Sequence, residues 1–117
     1  MPSLKRLKPG KRMSQAVIRG NAVYLAGQVA ETAAGASVAA QTAEVLAQID
    51  ALLAEAGTDK TKIMMATIYL ADISTFGEMN SVWDTWVVEG ATPARATVEA
   101  KLVAPEYKVE IAVVATI

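Results

Sequence analysis

The 117-residue chain contains no cysteine and no histidine. The first absence excludes disulfides and thiol nucleophiles, and the second excludes Ser-His triads. Together they exclude any ordinary zinc or haem site. Carboxylates alone would hold a metal only as a cluster such as an EF-hand loop, and the sequence has none, so no metal is expected. No apolar run reaches the roughly 20 residues needed to span a bilayer. The basic stretch 1–12 lacks the apolar segment of a signal peptide, so the expected location is the cytoplasm. The polar chemistry left to the chain is Arg, Lys, Glu, Asp, Asn, Ser, Thr, Tyr and water.

What is present is apolar. Such residues make up 53% of the chain, above the usual share for a soluble domain. That excess calls for burial, and a subunit interface is one outlet. The length fits a single domain over 1–117. Net charge is −1, but Lys5, Arg6, Lys8, Lys11 and Arg12 hold five of the eleven cations. The rest carries six cations against twelve anions, a balance of −6. The basic arm fits a solvated strand. No aromatic residue accompanies it to stack on bases, so a nucleic-acid partner is not expected.

Residues 15–19 and 22–29 read as strands joined by a two-residue turn at Gly20-Asn21. From Ser37 to Ala56 the period changes. Val38, Thr42, Val45, Ile49, Leu52, Leu53 and Ala56 recur at three- and four-residue steps, which predicts a helix stopped by Gly57. Residues 63–71 form an apolar, β-branched run suited to a buried strand. A second helix is predicted over 75–88. Thr75 and Glu78 resemble a capping box, and Phe76, Met79, Val82, Trp83 and Trp86 line the apolar side. Strands 95–102 and 108–116 close the chain, and a short strand at 3–7 is a further candidate. The order ββ-α-β-α-ββ predicts an α+β sandwich, with both helices on one face of a mixed sheet. The other face would expose Val, Ile and Ala, an apolar patch that monomers rarely show, so oligomerisation is expected.

Two charged residues stand out. Arg95 opens a predicted strand among small and apolar neighbours. A guanidinium is costly to bury without a partner, and its fork matches a carboxylate. Either it pairs with an internal acid such as Glu99 or Glu110, or it holds an anionic ligand. Glu110 lies in an apolar strand, with Val109, Ile111 and Val113 set toward the core and Glu110 opposite. It orients or deprotonates water, or it is a solvated strand residue. A hairpin of the last two strands about residue 105 sets Arg95 opposite residue 114, with Glu110 roughly 13 Å away along the strand. Direct pairing within one chain is then difficult. A bulge, an intervening substrate or a second subunit would resolve it. Asn80 follows core Met79; it bonds a backbone loop or a substrate, or it is simply part of a polar helix face.

These residues also carry a resemblance. The stretches Pro93-Ala94-Arg95-Ala96-Thr97-Val98-Glu99 and Val109-Glu110-Ile111 resemble the Rid family, also called YjgF, of enamine/imine deaminases. So do Met13-Ser14-Gln15-Ala16, Tyr24-Leu25-Ala26-Gly27-Gln28 and Met79-Asn80, in family order. The resemblance implies a chorismate-mutase-like α+β fold and a homotrimer with sites in the clefts between subunits. It implies hydrolysis of 2-imino acids, released by pyridoxal-phosphate enzymes, to 2-oxo acids and ammonia without a cofactor. Arg95 would hold the substrate carboxylate and Glu110 would position water, with Asn80 in the site. The chain departs from well-known members at Met13, Ala26 and Thr97, where they have Tyr, Ser and Cys. These three are carried as candidate substrate-binding positions of a divergent branch. The competing expectation is a non-catalytic trimer that binds small carboxylates; Glu110, which a pure binder does not need, separates the two.

Overall fold

The computed structural model describes residues 3–117; Met1 and Pro2 lie outside it. In chain order the elements are β1 (Lys5–Leu7), β2 (Ala16–Arg19), β3 (Ala22–Leu25), β4 (Gln28–Val29), α1 (Val38–Ala56), β5 (Ile63–Leu70), α2 (Phe76–Trp86), β6 (Ala94–Glu99) and β7 (Val109–Thr116). One mixed sheet runs β1-β2-β3-β7-β5-β6, with β4 also paired to β7. Among the described strands only β5 and β6 run parallel. The two helices cover one face of the sheet, an α+β fold as the element order predicts. Among the described residues no helix is long and apolar enough to cross a membrane.

Helix α1 forms where the apolar period says it should. Every residue of the predicted stripe is buried, and Gln41 and Leu46 join them. The Ser37 side chain accepts a hydrogen bond from the Ala40 N–H at 3.1 Å, and Gly57 ends the helix at φ 88°. Val45, Ile49 and Leu53 are wholly buried. Each such side chain contributes about 1.5–3 kcal/mol relative to exposure. Buried Gln41 ties α1 to the segment that leads into β7. Its amide donates to the Ala36 and Glu106 carbonyls at 3.1 and 2.9 Å and accepts from the Lys108 N–H at 2.9 Å. That tie fixes where β7 enters the sheet. Along β7, Val109, Ile111, Val113 and Ala115 face the helices, and Glu110, Ala112, Val114 and Thr116 face away.

Four expectations are corrected. The last two strands do not form a hairpin: β6 pairs parallel with β5, and β5 separates it from β7. Parallel pairing needs a crossover, and α2 supplies it between β5 and β6. The long segment 100–108 then carries the chain across to the centre of the sheet. The predicted strand 22–29 is broken at Ala26-Gly27 into β3 and β4. The capping box is not formed. Thr75 makes no side-chain cap, and its hydroxyl donates to the Asp72 carbonyl instead. Glu78 caps the other helix, accepting from the Ala39 N–H at 2.8 Å. Lastly, Phe76 is 41% exposed rather than part of the apolar side of α2.

The face without helices is largely apolar, with the expected Val and Ala but no Ile, since Ile18, Ile63, Ile68 and Ile111 all turn to the helix side. One row across it is Val17, Tyr24, Val114, Met65 and Ala94, each in register with the next. Tyr24 is 54% exposed there.

Candidate functional site

Arg95 reaches its position through the parallel register. It lies beside Ala66 of β5, a fully buried residue on the helix face, so its side chain projects toward α2. There Nη1 donates to Asn80 Oδ1 at 2.8 Å. The guanidinium carbon sits 5.2 Å from the Trp83 ring centroid and 5.5 Å from that of Phe76. Phe76, Asn80 and Trp83 follow at steps of four and three, which puts them on one helix face. Trp83, 5% exposed, belongs to the core as its spacing predicts, and with exposed Phe76 it brackets Arg95. The signal was present, since the aromatic spacing brackets Asn80, but nothing in it linked α2 to β6.

Among the described residues no carboxylate lies within ion-pair distance of Arg95. Glu99, one expected partner, accepts from the Ile73 N–H at 3.0 Å. Glu110, the other, points away from the helices and belongs to the opposite face. A guanidinium has five N–H donors, and the single bond to Asn80 leaves four for solvent or a ligand. Thr97 lies on the same face as Arg95, two residues along β6 and in register with buried Ile68. Its hydroxyl oxygen is buried and has no hydrogen-bond partner.

Glu110 lies half-buried in a second row across the open face, between Val29 of β4 and Tyr69 of β5, with Val98 beyond. Gly27 stands against its carboxylate, so close that an added Cβ would overlap it. Ala26 precedes Gly27 in the break between β3 and β4. Met13 is 50% exposed in the β1–β2 connection and lines a cavity of about 540 Å³ with Lys8, Lys11, Arg12 and Gln15.

The six candidate positions therefore fall into three groups. Arg95, Asn80 and Thr97 cluster beneath α2 at the β6 edge. Glu110 and Ala26 share the region around Gly27 on the open face. Met13 stands near the β1 edge, at the far end of the strand order from Arg95. Nothing in the local sequence marks Gly27, because its close contact is with Glu110 on another strand.

Comparison with known proteins gives one answer. Residues 3–117 match the family described as endoribonuclease L-PSP. The chain is 45% identical over 114 residues to a RutC family protein of Haemophilus influenzae, spanning 97% of this chain and 98% of that protein. It is likewise 45% identical over 115 residues to the RutC family protein YoaB of Escherichia coli, spanning 98% and 99%. A crystallised YjgF-family protein of Neisseria meningitidis superposes with a TM-score of 0.94 at 46% identity, over 97% of this chain and 94% of that one. Sequence and fold agree over essentially the full described length, and the chain belongs to the Rid, or YjgF, family.

Proposed function

We propose that this protein hydrolyses reactive 2-imino acids and their enamine tautomers to 2-oxo acids and ammonia. The observation that carries the reading is the state of Arg95. Its charge is bracketed by two aromatic rings and fixed by a neutral amide oxygen, with no carboxylate of its own among the described residues. Such a cation favours an anion of matching geometry, and a 2-imino acid offers a carboxylate. The adjoining iminium carbon is already electrophilic, so the protein need only hold the carboxylate and aim a water. Glu110 orients that water and takes its proton as oxygen bonds to carbon. Glu110 returns that proton to the carbinolamine nitrogen, and the C–N bond breaks as the hydroxyl oxygen forms the carbonyl, which releases ammonia and leaves Glu110 ionised for the next turnover. Every atom comes from the imine and one water, and no cofactor enters.

Arg95 and Glu110 project from opposite faces of the sheet in one chain. This supports a site assembled from two copies, Arg95 from one and Glu110 from another. The apolar row from Val17 to Ala94 supports burial of the open face in that assembly. A homotrimer with three equivalent clefts, one domain to a subunit, is the arrangement we propose. The departures at Met13 and Ala26 make the pocket less polar than in well-known relatives. The second reading, a carboxylate-binding trimer without catalysis, draws on the same Arg95 and leaves Glu110 idle. The endoribonuclease description belongs to the family; this chain has no histidine, the side chain most often used for general acid–base work. The test is an imine generated in situ by an amino-acid oxidase: the protein speeds its decay, and unaltered decay rejects the proposal.

A further inference from the structure

Between the pairs Tyr24–Val114 and Gln28–Ile111, Leu25, Ala26 and Gly27 stand opposite only Ala112 and Val113. The extra residue makes a bulge, a device that re-aims neighbouring side chains. It is tied on both sides. The Ala26 N–H donates to the Gln15 carbonyl at 2.9 Å, and the Ala26 carbonyl accepts from the Gln28 side-chain amide at 3.0 Å. The same amide donates to the Gln15 side chain at 3.0 Å, and its oxygen accepts from Gln48 of α1 at 3.2 Å. Gln48 also donates to the Val29 carbonyl at 3.1 Å. Three glutamines thus pin the break between β3 and β4 to the helix layer, and Gln28 at their centre is only 7% exposed.

Gly27 follows Ala26 on the open face. A Cβ built on it would lie 2.2 Å from Glu110 Oε2, 2.9 Å from Cδ and 3.1 Å from Cγ. Its φ is outside the left-handed region, so the backbone does not require glycine there. What requires glycine is the space. Among the described residues, moreover, no hydrogen bond or ion pair holds the Glu110 carboxylate. Its position depends on the surface it rests on.

We propose that Gly27, fixed by the Gln15–Gln28–Gln48 amide chain, is the seat that sets where the Glu110 carboxylate lies, and so is a positioning residue for the water-aiming step. The inference rests on the role given to Glu110 above. Gly27→Ala tests it with little threat to folding, because the group that must yield is the free end of a flexible side chain. Restoring an ordinary contact of 3.4 Å from 2.2 Å displaces the carboxylate by about 1.2 Å. A misplacement of this size costs up to about 10²-fold in rate. The expected result is a fall in kcat of that order with KM and 2-oxo acid binding unchanged, since Arg95 is untouched. In Gly27→Ala/Glu110→Asp the shorter acid no longer meets the new methyl group, so the double variant turns over as fast as Glu110→Asp alone. Wild-type kcat in Gly27→Ala overturns the proposal, and so does a double variant slowed by the product of the two single effects. A crystal structure of Gly27→Ala separates this idea from the reading it rests on. If the wild type hydrolyses no imine, the functional reading fails, while a displaced Glu110 carboxylate upholds the seat. A carboxylate still in its wild-type position refutes the seat whatever the activity.

Discussion

Replacing Arg95 by alanine separates a ligand-holding residue from a structural one. Within one chain the guanidinium makes one hydrogen bond, to Asn80, and two aromatic contacts. Partly exposed cation–π contacts are worth about 0.5–1 kcal/mol each. The hydrogen bond, in a half-exposed setting, adds about 1 kcal/mol. The fold therefore loses roughly 2–3 kcal/mol at most. At about 4 °C per kcal/mol for a chain of this size, Tm falls by about 10 °C and the protein stays folded at room temperature. The ligand loses more in proportion. A charge-assisted bond to a carboxylate is worth about 1.5–3 kcal/mol. Each 1.4 kcal/mol is about tenfold, so affinity for a 2-oxo acid falls roughly 10- to 150-fold. Arg95→Lys keeps the charge and loses the fork, and its affinity falls between wild type and alanine. Calorimetric titration with a 2-oxo acid, beside a thermal melt, reads both quantities. Unchanged affinity in Arg95→Ala, or a variant that unfolds, would refute the assignment.

Four further outcomes are expected. Light scattering at micromolar protein gives about three times the 12.3 kDa chain mass; a monomer mass contradicts the buried open face. Across a panel of amino acids fed to a broad oxidase, imines with leucine- or phenylalanine-like side chains decay faster than the alanine-derived one. Met is flexible and fills irregular apolar space, while the lost hydroxyls weaken polar discrimination. Met13→Tyr with Ala26→Ser shifts preference back toward small imines, and no shift removes these positions from specificity. Glu44 is held below its ordinary pKa of 4.5, first by the Thr32 hydroxyl and then by the Thr32 N–H. A depressed carboxylate stabilises the fold above its unfolded pKa, and that stability is lost as pH falls through the folded value. Melts between about pH 6 and pH 3 therefore decline more steeply for wild type than for Glu44→Gln, and equal slopes would contradict the assignment.

Much of this was legible in the sequence because the fold is locally consistent. The stripe from Val38 to Ala56 and the stop at Gly57 define α1, and alternation along 109–115 separates Glu110 from the core side. Arg95 was identifiable as a cation among apolar neighbours. Its partners were not, because strand adjacency is a nonlocal property. A hairpin is the simplest reading of two consecutive strands, and only the crossover through α2 moves β6 to the edge beside β5. For the same reason the contacts of Phe76 and Trp83 with Arg95 were not legible, and Glu78 reads as a cap for its own helix. Gly27 escaped notice because its role is the absence of a side chain beside a residue on another strand.

If Glu110 serves a reaction rather than a strand surface, turnover depends on its capacity to take a proton. The measurement is turnover of an oxidase-generated imine by Glu110→Gln beside wild type, with 2-oxo acid binding determined on the same samples. The side chain keeps its shape and loses its capacity to take a proton. Turnover is expected to fall by about 10²- to 10⁴-fold with binding retained. Wild-type turnover in Glu110→Gln contradicts that role.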